Sequence, residues 1–112
     1  MVLGIFSKVS SAEIAISNLL EAEFAPSSLS LLTKDPNLSK KIADTSGELS
    51  SYNLVTLPTK LITLGVEKKK ALLFSDRLKK GDVLLSVSGD ARTEKIAAEM
   101  LTDHGAEEVT TI

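Results

Sequence analysis

The chain repeats itself. Shifted by 81 residues, Val2 falls on Val83, Leu3 on Leu84, Phe6 on Val87, Ser7 on Ser88, Leu19 on Met100, Leu20 on Leu101 and Ala25 on Ala106. Self-similarity of this kind means one supersecondary unit used twice. In the first unit the apolar run Val2 to Phe6 predicts a strand. Ser10, Ser11 and Glu13 then predict the capped start of a helix whose Ala12, Ala15, Ile16, Leu19 and Leu20 recur at helical spacing. Phe24-Ala25-Pro26 stops that helix, and Leu29 to Thr33 predicts a second strand. The second unit repeats the plan: Val83 to Val87 as strand, Asp90 as helix cap, Ile96, Ala97, Met100 and Leu101 as the inward stripe, Gly105 just past the helix end, and Val109 to Ile112 as the last strand.

Two strand-helix-strand units with strands this short most economically share one sheet, with both helices on one face. The expected fold is therefore α+β and ferredoxin-like, a four-stranded antiparallel sheet in which the first and third strands are central. Those two carry the more apolar runs, whereas the Ser- and Thr-containing second and fourth fit sheet edges.

Between the units lie residues 35–80, too many for a plain connection. Asp35-Pro36 predicts a helix start covering Pro36 to Ala43, and Thr45-Ser46-Gly47 a turn. Tyr52 to Leu64, interrupted by Pro58, fits either strand or helix, and Val66 to Lys80 predicts a helix ended by Gly81. With 112 residues the chain is one domain, residues 1–112, carrying a long insert, and folding should bury roughly two-thirds of its exposable surface. It has no cysteine and a single histidine, which excludes disulfides and thiolate chemistry and leaves nothing to build a His-based metal site. A reducing, cytoplasmic home is expected. No apolar run approaches the ~20 residues needed to cross a bilayer, so neither a membrane association nor a signal peptide is expected.

Gly4-Ile5-Phe6, the Ala/Leu helix that follows, and Gly65 with Ala71, Phe74, Leu78, Gly81, Val83, Leu84 and Val87 resemble the bacterial general stress protein family, also known as the heat-induced stress protein domain. The resemblance spans roughly residues 1–34 and 65–112. Many relatives carry a glycine-rich apolar insert, whereas residues 35–64 here contain only Gly47. The resemblance implies a setting in stress induction and transfers no catalytic or binding residue.

Charge is uneven. Residues 67–80 hold six basic and two acidic side chains, a net +4, while residues 82–112 hold two basic and seven acidic, a net −5. Lys68, Lys69 and Lys70 fall in the first turn of the predicted helix, against the helix dipole. They could meet an anionic small molecule or an acidic protein surface, or simply be solvated beside the chain's own acidic final helix. Nucleic acid is not an expected partner, because the third strand, Val83-Leu84-Leu85-Ser86-Val87, offers no ring and no Arg, and the chain is mildly acidic. His104 before Gly105 reads as a helix-end cap, Asp90 as a cap rather than a catalytic acid, and the serines as turn chemistry without a nucleophile elbow. Asp82 and Asp90 flank the third strand, and the loop Ser88-Gly89-Asp90 lacks any phosphate-cradle spacing. Neither an enzymatic reaction nor a cofactor is expected.

The strongest positive signal is surplus apolar area. If Val2, Phe6, Val83, Leu85 and Val87 meet the two helices, then Leu3, Ile5 and Leu84 face the other side of the sheet. That side needs a cover, either the insert or a second copy of the chain. A non-catalytic protein acting through self-association or partner binding follows, with a homodimer expected and Tyr52, Leu57, Leu72, Leu73 and Phe74 as its contact residues, rimmed by the lysines. The competing reading is a regulatory module that senses a small molecule bound at a dimer interface.

Overall fold

Each half keeps its strand-helix-strand order in the computed structural model, which describes residues 1–34 and 54–112. The first half comprises β1 (Val2–Phe6), α1 (Val9–Glu21) and, after a 3-10 turn at Pro26–Ser28, β2 (Leu29–Leu32). The insert contributes α2 (Leu57–Leu64) and α3 (Lys68–Lys79), and the second half adds β3 (Val83–Val87), α4 (Ala91–Asp103) and β4 (Glu107–Thr111). The strands form one antiparallel sheet in the order β2-β3-β1-β4. The fold is thus α+β with the two repeated strands central, an order compatible with a ferredoxin-like plan.

Alternation along the strands sorts side chains onto two faces. Val2 and Phe6 of β1, with Leu29, Leu31, Val83, Leu85 and Val87, pack under α1 and α4, whose Ala12, Ala15, Ile16, Leu19, Ala97 and Leu101 close the first core. Gly4 lies on this face. A Cβ there would sit 3.1 Å from the Cβ of Ala106, so the missing side chain allows the chain leaving α4 to approach the central strand closely.

The opposite face carries Leu3, Ile5, Leu32 and Leu84, and the insert covers it: Leu57, Leu61, Val66, Ala71, Phe74 and Leu78 join them in a second core. Full burial of such a side chain stabilises by about 1.5–3 kcal/mol each. Of the two covers open to the sequence, the chain supplies its own. Pro58 sits in the first turn of α2, where its missing N–H has no intrahelical partner to lose, so the stretch reads as helix rather than strand.

Several expectations need correction. Helix α1 begins at Val9, with Lys8 at the N-cap and no side chain bonded to the helix end, so the Ser10/Glu13 cap does not form. Strand β2 is an edge strand, yet all four of its residues are buried: Leu29 and Leu31 enter the first core and Leu32 the second. Only β4 is the solvent-facing edge that polarity suggested. The helix expected at 36–43 and the turn at 45–47 lie outside the described residues.

Strand β4 also slips against β1. Thr111 and Thr110 pair with Val2 and Leu3, but Ile5 pairs with Glu107, so β4 holds one extra residue, and Glu108 takes a left-handed φ of 54°. This is a β-bulge. Val109 packs against the first core, so uninterrupted alternation would aim Glu107 the same way. The bulge instead lets both glutamates reach α3.

Candidate functional site

The residues expected to form an interface separate into two groups. Leu57 and Phe74 are fully buried in the second core, where they close the chain's own sheet and offer nothing to a second copy. Leu72 and Leu73 lie on the outer side of α3, 47% and 37% exposed. Tyr52 lies outside the described residues. The surplus apolar area that motivated a homodimer is therefore consumed largely within the chain, and of the expected contact residues only Leu72 and Leu73 are seen exposed among the described residues.

The lysines separate in the same way. Lys70 Nζ is 3.3 Å from Glu108 Oε2 of β4, so its partner is the final strand rather than the final helix. Lys68 and Lys69 are exposed and, among the described residues, have no ion-pair partner. Further along α3, Arg77 donates to Asp82 through Nε and to Glu107 through Nη2, which lies 2.8 Å from Glu107 Oε2. The bonds to Asp82 and then Glu107 hold the guanidinium above its already high pKa. Arg77 and Lys70 thus pin α3 to the bulged strand, and the remaining positive charge of the helix points outward beside Leu72 and Leu73.

At the other end of the sheet a groove of about 780 Å³ opens between the end of α1 and the start of α4. Its walls include Glu23, Phe24, Ser28, Ser88, Asp90 and Ile96, and Ser88 N–H donates to Ser28 C=O at 2.8 Å, which ties the two loops together. Asp90 accepts from Thr93 N–H at 2.8 Å, and this bond, followed by others from the same turn, holds its carboxyl below the usual carboxylate range. The α4 N-terminus is therefore occupied by the protein's own anion.

Glu23 is the feature that the sequence reading passed over. Among the described residues, all four helices end in the same way: beyond a single turning residue the next N–H bonds back to a carbonyl of the last turn, Phe24 N–H to Leu19, Val66 to Leu61, Asp82 to Arg77 and Ala106 to Leu101. The residue between must be left-handed. Gly65, Gly81 and Gly105 fill that position on three helices, with φ of 111°, 104° and 90°, whereas Glu23 fills it on α1 with φ 71°. Aligning the four helix ends by their glycines would have exposed the exception.

His104 works differently from a simple cap. Its Nε2 is 2.8 Å from Asn18 Nδ2, joining the end of α4 to α1. With the amide as donor the ring carries its proton on Nδ1. Among the described residues no group of His, Asp and Glu side chains could hold a metal ion, and no helix is long and apolar enough to cross a membrane.

No family model, curated protein or solved structure matches this chain.

Proposed function

We propose that this chain is a non-catalytic binding protein of the general stress type, ferredoxin-like in plan, whose outer α3 face takes an acidic protein surface. The observation that carries the reading is Leu72 and Leu73 exposed side by side beside Lys68 and Lys69, on a helix whose inner residues are fully committed to the core. Exposed apolar residues on a helix that carries net positive charge fit a partner of the opposite sign, the charges steering encounter and the leucines supplying desolvated contact.

The residues behind the family resemblance support the plan. Phe6, Phe74, Leu78, Val83 and Leu84 lie in the two cores and Gly81 ends α3 in a left-handed turn.

Charge also discriminates between partners. Across a two-fold axis running along α3, so that the two helices lie parallel, Lys68 and Lys69 would face their own copies. Stacking the basic face onto another copy's acidic half would not close, because α3 and α4 cover opposite faces of the sheet. A separate acidic partner avoids both problems.

Titration with an acidic amphipathic helical peptide of Glu, Leu and Ala, followed by amide shifts, tests this. The expected result is a salt-sensitive, saturable change centred on residues 68–76, weakened roughly tenfold or more by Leu72→Glu with Leu73→Glu, as for central contact residues. No saturable change, or equal binding of a Lys-for-Glu peptide, overturns the reading, as does a homodimer that the same double substitution dissolves.

A further inference from the structure

The geometry points to a second, independent site: the groove between the end of α1 and the start of α4 binds a small organic cation, an ammonium or guanidinium carried on an apolar body, with Glu23 as its counter-ion. Three observations converge on it. The volume, about 780 Å³, lies within the roughly 300–1,000 Å³ of small-molecule sites. Its walls pair an aromatic ring, Phe24, and a half-exposed aliphatic, Ile96 at 45%, with two carboxylates, Glu23 and Asp90, and none of the residues lining it is basic. An anion would meet like charge from the two lining carboxylates, and the helix N-terminus that could have held one is taken by Asp90.

The third observation is the placement of Glu23. Left-handed backbone is unfavourable for a side chain with a Cβ, and three of the four described helix ends accommodate it with glycine. The exception stands on the groove wall. Strain kept at one of four equivalent positions, and only where the side chain gains access to a groove, marks that side chain as having a task there. Asp90 is already bonded within its own turn, so Glu23 is the carboxylate left for a ligand, while Phe24 offers its ring to the hydrocarbon or, face-on, to the cation. Hydroxyls of Ser28 and Ser88 on the same wall can take a further donor of the ligand.

The test uses 2-phenylethylamine, with 3-phenylpropionate as a probe of similar shape and opposite charge, both followed by amide shifts of the full chain. The amine is expected to give saturable shifts at residues 22–25 and 88–96, and the carboxylate none. Glu23→Gln should weaken the amine roughly tenfold, as for the loss of a charge-assisted hydrogen bond. Glu23→Gly should abolish saturation while raising the melting temperature, a combination that a purely structural role for Glu23 would not produce. Shifts of equal size with the carboxylate, unchanged affinity in Glu23→Gln, or no saturable shift at all overturns the assignment. Because these residues lie apart from α3, failure here leaves the acidic-partner reading standing, and the reverse holds equally.

Discussion

Arg77 of α3 and Glu107 of β4 lie 2.8 Å apart because β4 carries one residue more than the strand it pairs with. The bulge turns Glu107 away from the face that Val109 occupies, and Glu108 follows it to Lys70. The insert is thus fastened to the sheet twice, by its buried stripe and by two ion pairs at the rim. These pairs are partly exposed, so their worth is modest. A double-mutant cycle of Arg77→Met with Glu107→Gln should return a coupling of about 0.2–1 kcal/mol that shrinks with added salt. A salt-independent coupling would mean that the pair acts through something other than exposed charge.

The buried stripe should matter far more. Phe74→Ala is expected to lower stability by about 3–5 kcal/mol and Leu57→Ala by about 2–5, both read from urea unfolding. Leu72→Ala should stay within about 0.5 kcal/mol. Comparable effects at Leu72 and Phe74 would contradict the assignment of their opposite sides of α3.

Backbone strain at the α1 end gives a paired prediction. Glu23→Gly should stabilise by about 1 kcal/mol, and Gly65→Ala should destabilise by a similar amount. The second change is clean, because nothing lies within 4 Å of the added Cβ. Denaturant midpoints that move in the same direction for both variants would refute the shared geometry.

Asp90 sets an acid limb. Its folded-state pKa is depressed by the Thr93 N–H bond, so its contribution is complete above the unfolded carboxylate value, about 3.9, and fades as pH falls through the lower folded value. Asp90→Asn keeps a capping oxygen. It should match the parent near neutral pH but lose less stability on acidification, as thermal midpoints across the acid range would reveal.

Much of this architecture could be read from residue order alone. The 81-residue repeat located four strands and two helices, because alternation and helical spacing are local properties that burial of one face imposes. The same alternation placed Leu3, Ile5 and Leu84 on the second sheet face. What hid there was the choice of cover. Leu57 and Phe74 look as suitable for a partner as for a core, and only the path of the insert decides which they meet. The edge assignment of β2 holds, but solvent exposure does not follow from it: Ser30 marks the strand as polar, yet both neighbours of that serine are leucines that enter the first core. The bulge was invisible because it depends on pairing across the sheet, and Glu107 and Glu108 read simply as acidic residues. Glu23 was concealed by its ordinariness, since a glutamate after a helix is unusual only beside three glycines in the equivalent place.

If the insert seals the second face within one chain, unfolding involves no change in the number of associated molecules. Thermal midpoints measured over a wide dilution series test this most directly. An intramolecular cover predicts a midpoint independent of protein concentration, whereas a cover supplied by a second copy would make the midpoint climb as concentration rises.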